Sequence, residues 1–203
     1  MKKYVLVLLT AAVALLCGCT GYREIERGYL VTAIGFSVAD SDFTITLEAI
    51  SSSDATDKPS QAITLSGNGK SFDAAYSAIE KQLVKPLYFE QLGTVIIADT
   101  LNDTKIESVI DFCKKLPSTN YGIYFIKANN METLFNTETA SGVLGYDIIG
   151  IIKNFEKHNG VKISNQLYEI SRSSIAKGVE NMPTLNAFDG KLELGLANGG
   201  QYE

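Results

Sequence analysis

Apolar positions recur along this chain first with period two and later at spacings of three and four, and the change marks where strands give way to helices. Tyr29-Leu-Val-Thr-Ala-Ile-Gly-Phe36 is a nearly continuous apolar run with β-branched residues and reads as a mostly buried strand. After the polar turn 37–42, Phe43-Thr-Ile-Thr-Leu-Glu-Ala49 alternates, which predicts a half-buried strand paired with the first as an antiparallel hairpin. A Ser/Asp loop, 51–59, leads to a short strand, Ala62–Leu65, ending at Gly67. Ser71 then caps a predicted helix over 71–84, with Phe72, Tyr76, Ile79 and Leu83 on one face and Pro86 as its stop.

The remaining elements follow in the same way. Thr94–Ala98 is a strand, and Thr104-Lys-Ile-Glu107 has capping-box spacing ahead of a helix whose stripe is Ile106, Val109, Ile110 and Cys113, closed by Pro117. A strand over Tyr121–Ala128 and a short helix, Met131–Phe135, come next. Two longer helices are expected at about Gly142–Lys157 and Asn165–Lys177, the second capped by Ser164 and stopped by Gly178. Leu185–Leu194 reads as a final strand. The order β-β-β-α-β-α-β-α-α-α-β predicts an α+β fold: one mixed β-sheet with a leading antiparallel hairpin and helices packed against it, over residues 29–195. Residues 196–203 form a polar, Gly-rich tail.

The start of the chain has a different character. Met-Lys-Lys, the apolar run Val5–Leu16 and small residues make residues 1–18 a signal peptide, too short for a spanning helix of about 20 apolar residues. Leu16-Cys17-Gly18-Cys19 has the spacing of a bacterial lipobox, which makes Cys19 the expected diacylated N-terminus and 19–28 the linker from the lipid; the alternative is an ordinary secreted protein with Cys19 in a disulfide. Loss of Lys2 and Lys3 leaves 16 basic residues against 23 acidic ones, a net charge of −7. That charge argues against nucleic acid as a partner, and two acyl chains anchor a protein stably without a basic patch.

The residue inventory argues against nucleophilic and metal chemistry. The chain has one histidine, His158, at a helix C-terminus before Gly160, where a capping role suffices. Cys113 belongs to an apolar stripe, and no Cys/His cluster offers a zinc site. Acidic pairs such as Asp54 with Asp57 and Asp40 with Asp42 fall in polar loops, without the apolar surroundings that raise a carboxyl pKa. Gly67-Asn-Gly-Lys-Ser71, with Val95-Ile-Ile-Ala-Asp99 beyond it, resembles the end of a phosphate-binding loop. Thr64, however, stands where that loop needs its first glycine, and a capped strand-to-helix turn explains the segment as well.

Several motifs in order resemble the N-terminal domain of the Ger(x)C family, the lipoprotein C-subunits of spore germinant receptors. Members typically begin Cys-Trp-Asp-Arg-Arg-Glu-Leu/Ile and continue into a strand ending Ile-Gly; here Cys19-Thr-Gly-Tyr-Arg23-Glu24-Ile25 and Ala33-Ile34-Gly35 keep the spacing, with Thr20 and Gly21 in place of Trp and Asp. Lys85-Pro86-Leu87-Tyr88-Phe89-Glu90-Gln91-Leu92, before a Val-Ile-Ile strand, resembles the family's Leu-Tyr-Phe-x-His-Leu block, with Gln91 at the histidine position. Asp111-Phe112 and the Tyr-x-Ile-Tyr-x-x-Lys-Ala strand continue the pattern.

The resemblance implies a non-catalytic, lipid-anchored subunit, or remnant, of a germinant receptor that supports nutrient-triggered germination. It would lie on the extracytoplasmic face of the cell membrane, in spores the inner spore membrane, with A- and B-type membrane subunits as partners. The lipid on Cys19 would be its only attached group. Members usually carry two further domains, which the chain is expected to lack. Candidate partner contacts are Arg23, Glu24, Gly35, Leu87, Tyr88, Phe89, Gln91 and Leu92. Two accounts of the aromatic pair stand open: both rings as a core plug beneath the 71–84 helix, or Tyr88 and Gln91 partly exposed as a docking edge. The functional alternatives are a free-standing surface lipoprotein that binds a small ligand or wall component and, third, a nucleotide hydrolase acting through Lys70.

Overall fold

A computed structural model describes residues 28–51, 62–117, 120–172, 182–188 and 191–196, and Lys3 alone before them. Residues 4–27, with Cys19, Arg23 and Glu24, the serine-rich segment 52–61, Gly178 and residues 197–203 lie outside these residues. Among the described residues, β1 (Tyr29–Ala39), β2 (Asp42–Ser51), β3 (Ala62–Gly69), α1 (Phe72–Glu80), β4 (Leu87–Tyr88), β5 (Thr94–Ala98) and α2 (Asp103–Lys115) form the first half. Then come β6 (Tyr124–Ala128), α3 (Met131–Phe135), α4 (Leu144–Asn159), α5 (Leu167–Arg172), β7 (Thr184–Phe188) and β8 (Lys191–Gly195).

All eight strands join one mixed sheet in the order β3-β2-β1-β5-β6-β7-β8, with β4 paired to β1 off that path. β1/β2, β2/β3 and β7/β8 are antiparallel, whereas β1/β5, β5/β6 and β6/β7 are parallel. This is the expected α+β sheet with its leading hairpin. Each face carries its own core. On one, Phe36 meets Phe72 and Phe112 edge-on at 5.0 and 5.6 Å, together with Leu47, Ile79, Ile110 and Cys113 from the sheet and the first two helices. On the other, Ile96, Ile126 and Leu194 pack with Leu134, Ile148, Ile152 and Phe155 of α3 and α4.

Ser71 caps α1 by accepting from the Ala74 amide at 3.2 Å, as its position predicts. The glycines just before it serve packing. Gly67 and Gly69 lie in β3, paired with Ile45 and Phe43, and a Cβ on Gly67 would stand 2.3 Å from the Ala75 carbonyl oxygen. These glycines therefore let α1 settle on β3 and form no phosphate-cradling loop; Lys70 pairs with Asp42.

Four expectations are corrected. α2 begins two residues before the capping box would place it, because Asn102 in an extended conformation accepts from the Lys105 amide at 3.1 Å and leaves Thr104 inside the helix. The segment read as one strand over 185–194 is the β7/β8 hairpin, whose sequence signal is Asp189-Gly190. Ser164 is not a cap: the chain stays non-helical through Asn165, whose side-chain amide donates to the Phe125 carbonyl and whose backbone carbonyl accepts from the Phe125 amide, so α5 starts only at Leu167. β4 is an additional strand, too short to show a period. Gly160, by contrast, ends α4 in the left-handed conformation at φ 63°, as a terminal glycine should.

Candidate functional site at the base of the sheet

β1, β5 and β6 run parallel and start at the same end of the sheet, here called its base. The 87–92 block closes that end. Leu87 and Tyr88 pair in parallel with Tyr29 and Leu30, and the Tyr29 amide donates to the Pro86 carbonyl at 2.9 Å. A turn follows in which the Leu92 amide donates to Phe89 at 3.0 Å, and then Gly93 bridges strands by donating to Thr32 and accepting from Tyr124. One short segment thus ties the beginnings of β1 and β6 to each other.

The two accounts of the aromatic pair divide between its rings. Phe89 is 1% exposed, with Leu92 beside it in the core, and its ring lies 6.2 Å from that of Tyr76 on α1. Tyr88 is half-buried, its ring laid over the backbone of Gly28, and Leu87 is half-buried while Gln91 is exposed. The reason is the period of an extended chain: neighbouring side chains point to opposite sides, so one ring enters the core and the other lies over the first described residues. Gly35 belongs elsewhere, in mid-β1, where a Cβ would come within 2.3 Å of Met131 Cε; its absence seats α3 on the sheet.

A second polar feature was not legible in the sequence. Glu48, 6% exposed on β2, accepts from the amides of Leu144 and Gly145 at 2.6 and 2.9 Å and from the Thr32 hydroxyl at 2.6 Å. α4 begins after Val143, which has no capping side chain, so a carboxylate 96 residues away satisfies its free amides. Thr32 reaches it from a bulge in β1, between Val31 and Ala33. The available signal was a carboxylate among the buried residues Leu47, Ala49 and Ile50, but nothing local names its partner.

Cys113 is fully buried on the inner face of α2, and burial pushes its thiol well above the usual range. A thiol reagent is expected to label it only on the timescale of unfolding; rapid labelling of the folded protein would contradict this placement. His158 is exposed, with Nδ1 2.8 Å from the Asn154 carbonyl of its own helix. Among the described residues no three His, Cys, Asp or Glu side chains gather to hold a metal ion. A groove of about 740 Å³ runs between α4 and the edge strand β8, with Ile151, Phe155, Leu192 and Leu194 supplying its apolar lining and Asn154, Lys191 and Glu193 polar groups.

The family of the spore germination protein N-terminal domain matches residues 21–187. The chain belongs to this family, and its role is in spore germination. No curated protein sequence and no solved structure matches the chain.

Proposed function

We propose that this chain is a lipid-anchored, non-catalytic subunit of a spore germinant receptor, held through Cys19 on the extracytoplasmic face of the inner spore membrane. There it would support nutrient-triggered germination beside A- and B-type membrane subunits. The observation that carries this reading is the family match over 21–187, beginning two residues after the lipobox cysteine. The Leu16-Cys17-Gly18-Cys19 spacing supports a lipid as the means of attachment; among the described residues no helix is long and apolar enough to cross a membrane. The α+β sheet of residues 29–195 falls largely within the family match over 21–187 and is, in this reading, the scaffold that presents the partner contacts. Tyr88 and Gln91, at the base beside the chain's entry, are its docking candidates.

Cys19→Ala is expected to move the protein from the membrane to the soluble fraction of spore extracts and to slow the response to nutrients. Unchanged partitioning would overturn the anchor.

The α4/β8 groove favours a second reading, a surface lipoprotein that binds a small ligand, because its volume falls within the range of small-molecule sites. Thermal stabilisation of the chain by free amino acids or sugars, abolished by Leu192→Arg, would favour that reading over a subunit that acts through its partners.

A further inference from the structure

We infer that the base of the sheet is a lipid-contacting surface: the turn 81–88 inserts its apolar tip into the headgroup region of the bilayer to which Cys19 is tethered. This rests on the anchor proposed above and adds how the domain sits on the membrane. Val84 is 92% exposed in that turn, the most exposed of the large apolar side chains among the described residues, and the half-buried Leu83, Leu87 and Tyr88 flank it. Residues 28 and 29 lie against the same turn, through the Tyr88 ring over Gly28 and the Tyr29–Pro86 hydrogen bond. Eight residues, 20–27, separate Gly28 from Cys19. At full extension they reach about 30 Å, so the base, and not the far end of the sheet, stays within range of the bilayer.

The helices give the domain a charge axis in the same direction. β3 runs parallel to β1, so α1 and α2 descend from the far end of the sheet and finish at the base. Their first turns carry Asp73 and Asp103, and the β1/β2 turn carries Asp40 and Asp42, all at the far end, where Lys70, paired with Asp42, and Lys105 offset part of that charge. At the base α1 ends at Glu80 with Lys81 as its C-cap, α2 ends on Lys114 and Lys115, with Lys114 3.4 Å from Asp111, and Lys85 lies in the turn itself. Tyr121, 55% exposed just before β6, adds a second aromatic ring to that end. An apolar tip with tyrosines and lysines around it is the composition of a membrane interface, where amphipathic rings and long cationic side chains sit at headgroup level. Glu80 and Glu90 are also exposed nearby, so the apolar tip supplies more of the contact than the lysines do.

The chain contains no tryptophan, so a single substitution gives a lone reporter. Val84→Trp tests the base, and Phe188→Trp, 74% exposed beside the hairpin at the far end of β7, is the control. Each full-length, lipidated variant would be reconstituted into phosphatidylglycerol/phosphatidylethanolamine vesicles containing brominated lipid. Val84→Trp is expected to shift to the blue on reconstitution and to be quenched several-fold more strongly than Phe188→Trp. Equal quenching of the two in protein that floats with the vesicles would overturn the inference and leave the anchor standing. Blue emission already present without vesicles would overturn it too, since another part of the chain or a second copy would then cover the tip. Failure of the unsubstituted chain to float would remove the anchor and the inference together.

Discussion

Glu48→Ala is expected to destabilise the domain by about 3 to 5 kcal/mol, more than any surface substitution. The carboxylate holds three donors at once, the Leu144 and Gly145 amides and the Thr32 hydroxyl. Each buried donor left without a partner costs about 1 to 3 kcal/mol. Water can reach part of the gap, because Glu48 also lines a cavity of about 370 Å³ with Phe135 and Leu144, and this keeps the total below the sum of three. Glu48→Gln should recover only part of the loss, since its NH₂ group would face amide donors. The checks are a lowered urea midpoint and faster hydrogen exchange at the first amides of α4. An unchanged midpoint in Glu48→Ala would mean that α4 does not depend on this cap.

Phe89→Ala should lower stability by a similar amount, about 3 to 5 kcal/mol, by opening a cavity beneath α1 against Tyr76. Tyr88→Ala, one residue away, removes a half-buried ring from the surface over Gly28, and its expected cost is about 1 kcal/mol. The difference between adjacent aromatic residues is the discriminating quantity, measured as the shift in urea midpoint at constant m-value. Equal losses would place both rings in the core and remove Tyr88 as a candidate contact.

Local rules made much of the fold legible. The alternation from Phe43 to Ala49, the Ser71 cap with its Phe72, Tyr76 and Ile79 stripe, and the short helix Met131–Phe135 all depend on neighbours within a few residues. Elements set by distant partners were misread or missed. Asn165 looks like a helix residue until Phe125 claims its side chain and backbone. β4 exists only because β1 is there to pair with it. Asn102 and Asp189-Gly190 are a different matter, since both were local signals that a neighbouring pattern obscured. The candidate site shows the same division. The sequence singled out the 87–92 block but could not say which ring faces inward, because that depends on α1 lying above it. Glu48 was hidden more deeply, with its acceptors' partners nearly a hundred residues away.

Purification of the tagged chain from detergent-solubilised spore inner membrane tests the central claim most directly. A germinant-receptor subunit should bring down A- and B-type membrane subunits in a stable complex, with recovery reduced by Tyr88→Ala at unchanged folding. Recovery of the chain alone, from spores in which those subunits are present and intact, would contradict the account.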